Sequence, residues 1–116
     1  MNPKVLVEVF AEHAAAQSDA IFRGDAKTGN KHARRYLNAV DKLLSLGDTG
    51  RDALASLLTH PRMDVRVKAA AYLLRYRTAE ARAVLEEAAR SEGLIPFIAS
   101  EVLKNWEQGT WALDPE

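Results

Sequence analysis

The chain contains no cysteine. That absence removes disulfides, thiolate-bound zinc, iron–sulfur clusters and a thiol nucleophile together. Aromatic residues make up only 7% of the 116 residues, and β-branched residues are few beside alanine and leucine, a balance that favours helix over sheet. No apolar run approaches the roughly 20 residues that span a bilayer. The N-terminus lacks the basic-then-apolar layout of a secretory signal, so a cytoplasmic protein with no membrane segment is expected. No P-loop, Rossmann glycine pattern or nucleophile elbow occurs. What is present is a 47% hydrophobic chain, enough for one domain with a modest core.

The apolar spacing predicts about six helices. Asn2 and Pro3 suit the cap and first position of a helix from Pro3 to Phe22. Its stripe is Leu6, Val9, Phe10, His13, Ala16, Ala20 and Ile21. Asp25 caps a second helix, about 26–46, with Ala33, Tyr36, Leu37, Val40, Leu43 and Leu44 inward. A third is expected over about 50–59, capped by Asp48 or Thr49 and ended by Pro61. The fourth, about 63–76, is apolar on two sides: Val65, Ala69, Tyr72, Leu73 and Tyr76 on one, Val67, Ala71 and Leu74 on the other. Such a helix needs neighbours on both sides. Thr78 caps a fifth over about 79–90, and a sixth runs over about 95–108 with Ile98, Ala99, Val102, Leu103 and Trp106 inward. Gly24, Gly47, Gly93 and Gly109 all fall at helix ends. Trp111, Leu113 and Pro115 form a tail expected to pack as a latch.

Residues 57–74 carry a resemblance. Leu57, Leu58, Pro61, Val65, Arg66, Ala69, Ala70 and Leu73 stand at the spacing of a HEAT-repeat helix pair. In that family small alanines permit close helix approach, and the arginine after valine pairs with an acidic residue of the corner or of the adjacent repeat. Here His60 stands where aspartate is common and Arg62 where a capping Asp or Asn is common. The whole chain is similar to a family of small bacterial HEAT-like domains of unknown function. The similarity rests on the opening Leu6-Val7-Glu8-Val9-Phe10, the His60-Pro61 corner followed by Val65-Arg66, and Trp106-Glu107-Gln108-Gly109. The resemblance implies an all-α fold, a short right-handed α-α superhelix of HEAT-like pairs. One domain over 1–116 would comprise an N-terminal capping pair at 1–47, the best HEAT-like pair at 48–77, a degenerate pair at 78–109 and the tail at 110–116.

The net charge is zero, with 16 basic and 16 acidic residues, but the distribution is uneven. Residues 61–82 hold six basic side chains against two acidic ones, a net of +4. Residues 83–116 hold two against seven, a net of −5. Adjacent helices of opposite charge partly neutralise one another, or present a dipolar face to a partner. His13, His32 and His60 are not at ligand spacing; His13 reads as a packed or hydrogen-bonded residue and His60 as a structural corner residue. The carboxylate pairs Glu8/Glu12 and Glu86/Glu87 read as solvated helix faces. The expectation is therefore a non-enzyme with no catalytic residue, cofactor or metal. Its function would be to bind an unidentified protein partner, in the manner of an immunity or accessory protein, through Arg62, Arg66, Lys68, Arg75 and Arg77. Nucleic-acid binding through the same basic flanks is the alternative, disfavoured by the zero net charge. Self-association into a homo-oligomer is a second alternative, since short stacks expose apolar ends.

Overall fold

The computed structural model describes residues 2–91 and 93–109, with backbone alone at Leu94. The expected tail at Trp111, Leu113 and Pro115 lies outside the described residues. The fold is all-α. Among the described residues there are six α-helices: α1 (Pro3–Phe22), α2 (Ala26–Ser45), α3 (Asp48–Ala55), α4 (Met63–Leu73), α5 (Thr78–Ala89) and α6 (Leu94–Glu107). A 3₁₀ turn, Ser56–Thr59, follows α3. The helices fall into two compact units with the boundary between Leu57 and Leu58. Helix α3 belongs to the first unit and α4 to the second.

In the first unit, α1 and α2 form the principal packing pair, and α3 packs on both. The Asn2 side chain accepts the Lys4 N–H at 2.8 Å, and the Asp25 carboxylate accepts the Thr28 N–H at 3.1 Å, so both expected caps are in place. The buried stripe of α1 is Leu6, Val7, Phe10, Ala14, Ser18 and Ala20, while Ile21 is exposed. It is rotated slightly from the sequence reading, because alanine recurs on several faces of α1 and gives the periodicity little contrast. Phe10 meets the ring of Tyr36 edge to face at 5.5 Å, joining the two helices near their middle. Leu37, expected inward, is exposed; Ala39, Val40 and Leu43 supply the buried side of α2.

The turn between α2 and α3 depends on two glycines. Gly47 has φ +67, a conformation that L side chains rarely adopt, and it caps α3 in place of Asp48 or Thr49. Asp48 instead enters the first turn, where its charge favours the helix dipole. Gly50 is buried, and a Cβ there would overlap the backbone carbonyl of Leu43. This close approach lets α3 fold back onto α2 directly after a two-residue connection.

In the second unit, α4 packs on α5 and α6, which also pack on each other. Eight of the eleven residues of α4 are buried, from Asp64 and Val65 through Val67 to Ala69–Leu73. The two apolar sides read from the sequence are both covered, as an all-round apolar helix requires. Leu54, Leu73, Leu74 and Leu85 are among the fully buried side chains, each stabilising its unit by about 1.5–3 kcal/mol. Helix α5 begins one residue earlier than expected. Arg77 holds the cap position without a side-chain bond, and the Thr78 hydroxyl donates back to the Leu74 carbonyl at 2.6 Å. Pro96, Ala99 and Val102 are buried among the described residues of α6, whereas Ile98 is 40% exposed beside Phe97 at 61%.

Gly50→Ala is expected to destabilise the first unit by about 3 kcal/mol, because the added methyl meets backbone that cannot yield. Gly29→Ala meets only the flexible end of the Ile21 side chain and is expected to cost much less. Urea unfolding of the two variants measures the difference.

Candidate binding surface

The corner between the 3₁₀ turn and α4 is built from His60, Pro61, Arg62, Asp64 and Arg66. Arg62 occupies the cap position of α4 with extended backbone (φ −89, ψ 129) but cannot accept the free N–H groups of the first turn. The neighbours take over that role. Asp64 is 6% exposed, and one of its carboxylate oxygens accepts its neighbour's Val65 N–H at 3.0 Å. The same carboxylate accepts two bonds from the Arg62 guanidinium, Nε to Oδ1 and one terminal nitrogen to Oδ2, each at 3.0 Å. This fork-to-fork pairing satisfies a buried charge that would otherwise be costly. The His60 ring accepts the Arg62 N–H at Nδ1, 3.0 Å away. His60 thereby closes the turn that leads into α4.

Arg66 does not pair with an acidic residue of the corner, as the resemblance implies. Its guanidinium donates to the carbonyls of His60 at 2.8 Å and Pro61 at 3.1 Å. The corner's only carboxylate is already occupied by Arg62, and the turn before α4 leaves its carbonyls without helical partners.

The basic run at 61–82 is therefore largely engaged within the protein. Arg62 and Arg66 hold the corner. Arg82 reaches Glu86 at 3.5 Å and Glu107 of α6 at 3.2 Å, which is the mutual neutralisation of oppositely charged helices read from the sequence. Lys68 and Arg77 are half-buried and each interacts with another group. Arg75 alone of the six stands exposed just past the end of α4 with no bonded partner among the described residues.

A second basic row stands on α2. Helix α2 carries Lys27, Lys31, Arg34, Arg35 and Lys42 against a single acid, Asp41. Lys31, Arg34, Arg35 and Asn38 recur at three- and four-residue spacing and line one shallow groove. All four are exposed, and none has a hydrogen-bond or ion-pair partner among the described residues. The signal for this row is present in the sequence as cations at helical spacing. It is obscured because the neighbouring acidic cap Asp25 and the weak helix formers Thr28, Gly29 and Asn30 make the segment read as a fraying end.

His13 of α1 and His32 of α2, 19 residues apart in the chain, are brought together with their Nδ1 atoms 2.9 Å apart. The ordinary imidazole pKa of His13 is lowered, first by burial; Glu12 opposes the shift, while His32 and Arg35 add to it. Among the described residues no group of three or more His, Asp or Glu side chains gathers as a metal cage. No described helix is long and apolar enough to cross a membrane.

The geometry defines a small all-helical domain whose distinctive polar features are a sealed corner and an open cationic helix face. Residues 4–105 match the family described as Domain of unknown function (DUF2019), and the chain belongs to that family. The crystal structure of the protein RPA1889 from Rhodopseudomonas palustris CGA009 is similar to it with a TM-score of 0.89 and 27% identity. That similarity covers 100% of this chain and 95% of the other. No curated protein matches the chain.

Asp64→Ala is expected to lower stability by about 2 kcal/mol, because it leaves both the Val65 N–H and the Arg62 guanidinium without their acceptor. Arg66→Ala should cost about 1 kcal/mol through the two released carbonyls. Arg75→Ala should stay within about 0.5 kcal/mol. Equilibrium denaturation separates the three.

Proposed function

We propose that this chain is a non-enzymatic, HEAT-like helical scaffold that binds a protein partner through an acidic face of that partner. The observation that carries this reading is the row Lys31, Arg34, Arg35 and Asn38 on α2, exposed and unpaired within its own unit. Holding like charges on one helix face costs stability, and an acidic partner relieves that cost on binding. Arg62 and Arg66 enter this reading as builders of the corner, so their reversal to glutamate would unfold it rather than report on binding.

A partner of one dominant kind, as for an immunity or accessory protein, fits a small helical scaffold in a cytoplasmic setting. Exposed Phe22, 55% accessible and in the same unit as the cationic row, supplies an apolar anchor of the type that interfaces use. Nucleic-acid binding is the competing reading, because phosphates suit the same cations. It is disfavoured by the zero net charge and by the absence of an aromatic side chain lining the groove. Self-association through the exposed apolar residues is the other.

The double variant Lys31→Glu/Arg34→Glu is expected to keep the fold and to slow association with the partner recovered from the native host by about tenfold or more. Stopped-flow or surface-binding kinetics at two salt concentrations measures this. Tight, steeply salt-dependent binding to a 20-base-pair DNA duplex would transfer the surface to the nucleic-acid reading. A mass that rises with concentration in light scattering would transfer it to self-association.

A further inference from the structure

The centroids of the His13 and His32 rings lie 5.1 Å apart and their planes differ by 29°. With the two Nδ1 atoms only 2.9 Å apart, these values place the imidazoles edge to edge, nitrogen facing nitrogen. That is the geometry of an N–H···N hydrogen bond. One Nδ1 must carry a proton and the other must be bare, so the two rings are opposite tautomers. The facing lone-pair directions do not converge on a common point, which is what a shared metal would require.

We propose that His13 and His32 form a proton-operated clamp between α1 and α2. The first proton taken up by the pair adds to the free Nε2-side nitrogen of the ring whose Nδ1 is already protonated. The Nδ1–H···Nδ1 bond survives and becomes charge-assisted. The second proton can go only to the bare Nδ1. It replaces the acceptor with a second N–H donor, so the bond is lost and two positive rings face each other.

The surroundings set the direction. From α1 the charged neighbour is Glu12, which favours a cationic ring. From α2 it is Arg35, which disfavours one; burial of His13 also disfavours it, and no charged group of α3 acts on it. These influences disfavour a cationic His13 and suit its Nδ1 to the acceptor's place. Tyr36, one turn along the same seam, is held neutral by burial and does not titrate in this range. A group whose folded-state pKa is depressed costs stability as pH falls through its unfolded value of about 6.5. Above that pH the clamp contributes in full. The α1–α2 seam that includes the Phe10–Tyr36 contact loosens only when the second proton reaches the His13 Nδ1, below the ordinary imidazole range. This inference does not depend on the partner proposed above.

Imidazole NMR of the intact chain between pH 4.5 and 8 tests it. The expected result is two separated titration steps for His13 and His32, with loss of the shared-proton coupling at the second. In parallel, thermal unfolding should show a Tm drop between pH 7.5 and 5 that is larger by about 5 °C in the unaltered chain than in His13→Leu. His32→Gln keeps a donor toward His13 and should retain the bond with a single titration step. Independent titration of both rings along superimposable curves would overturn the clamp. So would an equal Tm drop in His13→Leu and the unaltered chain. The NMR result stands even if a variant fails to fold.

Discussion

The buried carboxylate of Asp64 is the constraint on which the second unit depends. A charge at 6% exposure persists only if its oxygens are satisfied, and Asp64 is satisfied by Arg62 and the Val65 N–H. Fixing Arg62 fixes the entry of α4. Arg66 then ties the His60 and Pro61 carbonyls to the first turn. With its start anchored, α4 can be apolar on two sides and still hold one register against α5 and α6. The alanines at 69, 70 and 71 permit that closeness, since they add no side-chain entropy cost.

The same constraint decides where charge is available to a partner. The corner arginines are engaged by Asp64 and the turn carbonyls, and Arg82 is shared with Glu86 and Glu107. These last contacts are solvent-exposed and contribute little to stability. Their effect is on the field: the charge of Arg82 is locally offset. On α2 no such cancellation operates within the row. A chain of zero net charge thus presents a cationic helix face because its opposite charges are distributed unevenly, not because it has a basic excess.

Much of the helical plan was legible. Asn2 and Asp25 were readable as caps because a short polar side chain before an apolar period has one favourable use. Gly24 and Gly47 were readable as stops for the related reason that positive φ favours glycine. The two-sided burial of α4 followed from its two apolar stripes. Less was legible where contrast was low. The alanine-rich α1 hid the true rotation of its stripe, and Leu37 and Ile98 were read as core although they are exposed. Thr78 has the chemistry of a cap, yet its hydroxyl bonds back to the Leu74 carbonyl.

Sequence alone determined that this chain is all-α, where its helices begin and end to within a few residues, and that α4 is enclosed. Those properties follow from local chemistry and from periodicity, which neighbours in the chain carry by themselves. Tertiary structure decided which cations remain exposed, that Gly50 lies against the Leu43 carbonyl, and that His13 meets His32. Each is a meeting between residues whose relative position is set by helix packing. Spacing along the chain cannot encode a 2.9 Å approach between two rings 19 residues apart.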